Sequence, residues 1–211
     1  LGNPTIVNAV MLHEKLRNVS IRAKQDLNSL KITKIHNVTK TISEPKASRI
    51  TSVLKLEEKL TDARIPKIMK IIKDAKGKTI IYTENVGQSL DDKTILEKIS
   101  SALSSKKITH GFYTGKRKDG RKKFLDGKID VLIGSLPLSV GNDGFQHICN
   151  NLIFNVLPWT YADYEQTLGR LVRKGQKKSK VNIHIIVAKL KIKNSDTHHW
   201  DKHVKLEKLQ Y

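Results

Sequence analysis

The sequence predicts an open α/β domain: a mainly parallel sheet with helices on both faces, preceded by a helical arm. Two observations carry that expectation. From Lys78 onward, short apolar, β-branched runs alternate with segments of helical spacing, the pattern of parallel strands joined by crossover helices. Residues before about Asp62 differ: they are polar, rich in Lys and Asn, and contain no strong strand run.

The elements follow in order. Ser43–Leu60 has helical spacing, with Ile50, Val53, Leu54 and Leu60 as its apolar stripe. A second helix is expected to start at Pro66, a residue suited to a first helical turn, with Ile68, Met69, Ile71 and Ile72 as its packing face and Lys76-Gly77 as its end. Lys78–Thr83 (KTIIYT) reads as a strand, Asp91–Leu103 as a helix and Ile108–Thr114 as a strand. Ile129–Ser135 (IDVLIGS), Asn151–Val156 (NLIFNV) and Val181–Ala188 (VNIHIIVA) are three further strands. Residues 1–62 are thus expected to form a helical arm or interdomain connection, residues 63–190 the α/β domain, and residues 191–211 a basic tail. The chain opens Leu1-Gly2-Asn3 without methionine, so it is expected to be a piece of something larger.

The 211 residues carry a formal net charge of +20, which predicts attraction to a polyanion and salt-sensitive binding. One cysteine, Cys149, excludes an internal disulfide framework and fits a reducing compartment, cytoplasmic or nuclear. No apolar run approaches the ~20 residues that span a bilayer, so no membrane partner is expected.

The segment Trp159–Gln176 (WTYADYEQTLGRLVRKGQ) is the most informative. Read as a helix from Tyr161 to about Lys174, it puts Tyr161, Tyr164, Leu168 and Leu171 on one side, and Gln166, Gly169, Arg170 and Arg173 on another. Thr160 with Asp163 reads as a capping box, and Gly175 suits a left-handed residue past the end. Two guanidiniums on a helix that packs by its other face call for an anion, phosphate or carboxylate. The alternative is an amphipathic helix with a solvated basic edge.

A second constellation lies at the carboxyl end of the third strand, Gly134-Ser135-Leu-Pro137-Leu-Ser139-Val-Gly141-Asn142-Asp143-Gly144. Its glycines and serines suit a loop whose backbone N–H groups meet a sugar or phosphate; an ordinary turn would use the same residues. The run Lys116–Lys123 (KRKDGRKK) is the densest charge, either a phosphate contact or a solvated edge. His199 with His203, one helical turn apart, are possible zinc ligands or part of a polar tail; Cys149 beside His147 is read as a buried structural thiol rather than a nucleophile.

The string Gln166-x-x-Gly169-Arg170-x-x-Arg173-x-Gly175-Gln176, with Trp159 seven residues before the glutamine, resembles the last signature motif of superfamily-two helicases in its Swi/Snf-type form. That family usually follows the tryptophan with Asn-Pro, whereas here Thr160-Tyr161 follow. Ser135 and Ser139–Asp143 resemble its motif five, Lys78–Thr83 its motif four, and Tyr113-Thr114-Gly115 the close of the next strand. In the following helix, spacing to Phe124 matches the family's arginine to Arg117, while spacing from Gly115 matches it to Arg121. The resemblance covers about Arg64 to Ala188.

It implies a RecA-like fold and the C-terminal lobe of an ATP-dependent helicase or translocase acting on nucleic acid, with DNA favoured over RNA. It implies catalytic roles for Arg173 as arginine finger, Arg170 and Gln166; ATP contacts at Gly141, Asp143, Gly169, Arg170 and Arg173; and nucleic-acid contacts at Gly115, Lys116, Lys118, Ser135 and Ser139. No phosphate-binding G-x-x-x-x-G-K-[ST] and no Asp-Glu pair occurs, and Gly77-Lys78-Thr79 leads into a strand rather than a helix. The phosphate cradle and Mg2+ ligands for ATP are therefore expected from an N-terminal lobe of the same parent chain, and the fragment alone is expected to be inactive. The alternative is a degenerate lobe that docks nucleic acid or a partner without turnover.

Overall fold

The computed structural model describes residues 30–47, 50–75, 77–84, 94–140, 144–193 and 199–203. Its elements are β1 (Lys31–Ser43), α1 (Glu44–Ala47), α2 (Val53–Asp74), β2 (Lys78–Thr83), α3 (Ile95–Ser105), β3 (His110–Tyr113), α4 (Asp119–Leu125), β4 (Val131–Gly134), α5 (Phe145–Ile148), β5 (Cys149–Val156), α6 (Tyr161–Leu168), β6 (Val181–Lys193) and β7 (His199–His203). Among the described residues one sheet holds all the strands, in the order β1-β6-β5-β2-β4-β3. Every neighbouring pair in that order is parallel, and β7 adds antiparallel to β6.

The central strands form because their residues are buried on both faces. β4 is buried at all four positions and β2 at five of its six. On one face Ile81, Ile133, Ile153 and Ile186 pack against Ile68 and Ile71 of α2 and Ile95, Ile99 and Leu103 of α3. On the other, Tyr82, Leu132, Phe154, Ile183 and Ile185 pack against Phe124 of α4, Phe145 of α5, Tyr164 and Leu168 of α6, and Leu171 beyond it. This is the expected two-faced RecA-like sheet.

Before Asp62 the described residues differ in part from the helical arm expected, and residues 1–29 of that arm lie outside the described residues. Lys31–Ser43 is a strand, paired with β6 along its whole length. Its apolar residues are too few for a core run, but seven of its thirteen residues are β-branched, and such residues fit a half-buried pleat. The helix expected from Pro66 also begins earlier. α2 runs unbroken through Pro66, because its buried face continues through Glu57, Thr61 and Arg64. Glu57 and Arg64 form an ion pair in that face with side chains 6% and 4% exposed; an apolar pattern cannot see such a pair.

Candidate functional site

The carboxyl ends of β3, β4, β2 and β5 lie side by side, where open α/β sheets gather ligands. At the end of β3, Thr114 and Arg117 close a tight turn: Thr114 N–H donates to the Arg117 carbonyl (2.7 Å), and Arg117 N–H to the Thr114 hydroxyl (3.2 Å). Gly115, Lys116 and Lys118 stand exposed on this turn. Arg117 lies over the Phe112 ring at 3.7 Å, outside any helix, whereas Arg121 is on α4, facing the Phe145 ring at 6.0 Å. Of the two arginines left open by spacing, the helical one is Arg121.

At the end of β4 the chain folds back at once in a 3-10 turn, Leu136–Leu138. A Cβ on Gly134 would meet Leu138 Cδ1 at 2.3 Å, so a larger residue here would push the buried Leu138 side chain out of its place. Ser135 N–H donates to the Tyr113 carbonyl (3.2 Å), tying the loop to β3. Ser135 and Ser139 are both buried, and the Ser139 hydroxyl donates to the Leu136 carbonyl (2.7 Å). Gly141 and Asp143 lie outside the described residues.

α6 starts at the expected Thr160 N-cap, but through the hydroxyl alone and not as the full capping box. The Thr160 hydroxyl accepts from Asp163 N–H (3.1 Å) and donates to the Asp163 carboxylate (2.6 Å). It ends sooner than expected, at Leu168, with Gly169 as its C-cap. Arg170 and Arg173 therefore sit in the turns that follow and not on a shared helix face with the exposed Gln166. Those turns run back across the sheet face toward the start of β5. Gln176 holds them there: its Nε2 donates to the Cys149 carbonyl (3.1 Å) and the Leu171 carbonyl (3.0 Å). Gly175 takes the left-handed φ of 90°, and its carbonyl lies 3.1 Å from His147 Nδ1. Gln176 was legible as part of the motif; its structural task was not, since it depends on a strand end 27 residues away.

Arg170 joins the two constellations. Its Nη2 donates to the backbone carbonyl of Ser139, so the turn after α6 and the loop after β4 form one surface. Arg173, half-buried, follows on the same turn. The arrangement has two parts: an edge with Gly115, Lys116 and Lys118 exposed and the side chains of Ser135 and Ser139 buried behind it, and a basic face bearing Arg170 and Arg173.

The helicase conserved C-terminal domain family model matches residues 63–175. The chain belongs to this family. It is 34% identical over 119 residues to the uncharacterized ATP-dependent helicase YqhH of Bacillus subtilis (strain 168), a match covering 56% of this chain and 20% of that protein. The chain thus spans about one fifth of this curated relative's length. Among solved structures, the C-terminal part of the Fun30 ATPase domain superposes with a TM-score of 0.50 at 22% identity, covering 62% of this chain and 43% of that one. Escherichia coli DEAD-box protein SrmB, bound to RraA, gives a TM-score of 0.44 at 14% identity over 74% of this chain and 78% of that one.

The remaining expectations fall elsewhere. Lys78 opens β2 and donates to the carbonyls of Gly127 (3.2 Å) and Ile129, so it serves strand packing. Cys149 is a buried structural thiol: it donates to the Lys78 carbonyl (3.1 Å), and burial pushes it up to about 12. Among the described residues no group of three or more His, Cys, Asp or Glu is placed to hold a metal ion. No described helix is long and apolar enough to cross a membrane.

Proposed function

We propose that this lobe is the C-terminal half of an ATP-driven nucleic-acid translocase of Swi/Snf type, with double-stranded DNA as its track. The supporting observation is the bond from Arg170 to the Ser139 carbonyl, which sets the motif-six turn against the motif-five loop on one basic surface. The donor chemistry suits a nucleoside triphosphate: a guanidinium makes forked bonds to phosphate oxygens and stays charged at every accessible pH. In this reading Arg173, on the same turn, acts as the arginine finger, with Arg170 and Gly169 beside it and Gln166 orienting the cleft. Phosphoryl transfer spreads negative charge over the γ-phosphoryl oxygens, and a positioned guanidinium stabilises that charge.

The phosphate cradle belongs to the N-terminal lobe of the parent protein, as do the Mg2+ ligands; no residue of this chain is assigned to the metal. Bound Mg2+ would neutralise charge on the phosphates. This chain's own part is to deliver guanidiniums when the lobes close, which makes hydrolysis depend on closure. Leu136, Val140, Trp159 and Tyr161 are between 43% and 63% exposed, and such apolar side chains suit an interface with that lobe. The exposed Gly115, Lys116 and Lys118 line the edge where the nucleic-acid backbone would lie, with Ser135 buried behind them. The fragment alone should not turn over ATP.

The test joins this chain to its N-terminal lobe and measures DNA-stimulated ATP hydrolysis. Arg173→Ala should lower the rate by about 10³–10⁵. Wild-type rates in that variant would exclude the finger role. Stimulation by RNA but not by DNA would overturn the choice of track.

A further inference from the structure

Strands β1 and β6 continue together well past the sheet. The last β5 partner on β6 is Ile185, whereas β1 stays in register with β6 down to the Ser43–Lys193 pair, eight residues further. At about 3.3 Å per residue this ribbon extends roughly 25 Å. The strands are parallel, so it projects from the carboxyl edge, which also carries Gly115, Lys116 and Ser135. The ribbon lies outside the family match, which covers residues 63–175.

Side chains alternate between its two faces. On the even-numbered face Val38, Ile42, Ala188, Leu190 and Ile192 close over Leu60 and its neighbours, and the lysine there, Lys40, lies 3.8 Å from Asp62. The odd-numbered face is different. Its apolar packing stops at Val187. Beyond that come the exposed Thr39, Thr41 and Ser43 of β1, in register with Lys189, Lys191 and Lys193 of β6. Neither strand contains an Asp or Glu. On the other flank, β7 sets His203, Asp201 and His199 in register with the three lysines, so one acidic position borders the row. Alternate residues stand about 6.6 Å apart along a strand, giving a row of point charges beside a row of hydroxyl donors. That is the chemistry of sequence-independent contact with phosphates.

We propose that the odd-numbered face of the β1/β6 ribbon is a second nucleic-acid contact, which grips the phosphate backbone of a duplex beyond the sheet edge. The inference rests on the nucleic-acid reading above and extends it to residues that no motif marks.

The experiment measures binding of a labelled DNA duplex by the 211-residue chain across a salt series. Four proteins are compared: wild type; K189Q/K191Q/K193Q; the same three positions changed to Arg; and K73Q/K106Q/K128Q, which removes equal charge from exposed positions at the opposite, amino-terminal edge. If each ribbon lysine meets a phosphate, the Gln triple lowers the slope of log affinity against log salt by about two to three. Its affinity falls at least tenfold at low salt, the Arg triple binds as wild type, and the amino-edge triple keeps the wild-type slope. Equal losses in the Gln triple and the amino-edge triple would reduce the effect to net charge and overturn the proposal, as would a Gln triple that binds like wild type. A wild-type chain without measurable affinity for duplex would overturn the nucleic-acid reading along with it. The melting temperature of each variant, unchanged from wild type, separates lost contact from lost fold.

Discussion

A methyl group on Gly120 would sit 2.4 Å from the Phe112 nitrogen and 2.5 Å from its carbonyl oxygen. α4 can therefore lie on β3 only through a glycine, and Gly120→Ala should destabilise by about 1–3 kcal/mol, as overpacking does. Gly115, five residues earlier, has nothing within 4 Å of the same position. Gly115→Ala should stay within about 0.5 kcal/mol of wild type, and urea denaturation of the pair checks both. The second residue-scale feature is a histidine pair. His36 Nε2 lies 3.0 Å from His184 Nδ1, with the rings stacked. Burial, then His36, Lys34 and Lys67, pushes His184 down to about 4; burial, then Lys67 and Lys34, lowers His36 as well. A depressed histidine binds its proton more readily in the unfolded chain, so stability rises with pH. The contribution of His184 is complete above about 6.5, declines as pH falls below that, and is gone near 4; that of His36 has the same sign. His184→Asn should flatten the denaturation midpoint against pH between those limits; a midpoint just as steep in the variant would place the acid sensitivity elsewhere.

At the scale of elements, α2 shows a polar pair doing the work of an apolar stripe. Arg64 and Glu57 bond to each other inside the face that packs on the sheet. Arg64→Ala leaves a buried carboxylate without its guanidinium and should cost about 3–5 kcal/mol, whereas replacing both partners by apolar residues of similar volume should recover most of that loss. A thermal-melt comparison of the single and double variants measures it. The neighbouring Asn155 adds a second polar link, with its amide donating to the hydroxyls of Thr61 and Thr83 at 3.3 Å each. α6 teaches the opposite lesson. Its spacing supports a helix as far as Lys174, yet it stops at Leu168. Arg170 reaches the Ser139 carbonyl and Gln176 the start of β5, and these tertiary bonds outweigh the propensity of a few residues to continue a helix.

For the whole molecule, β1 is as much a part of the sheet as the central strands. It covers one side of β6 at all thirteen positions and contributes Val38 and Ile42 to the cluster around Leu60. Deleting residues 1–43 should therefore lower the melting temperature and promote self-association through the uncovered β6 edge; a shortened chain that melts like the full one and stays monomeric would assign β1 no structural weight. The sequence alone determined the alternation of strands and helices from Lys78 to Ala188, the two-faced parallel sheet, the glycines and serines after β4, and the Thr160 cap. These are local patterns, and hydrophobic period and turn chemistry act over a few residues. Only the tertiary structure decided that Lys31–Ser43 pairs with β6, that α2 is one helix across an ion pair, that α6 ends before its arginines, and that Arg170 bonds to Ser139. Each of those depends on partners distant in the chain or on a buried polar match, which carries no signature in spacing because its stability arises only when both halves leave water together.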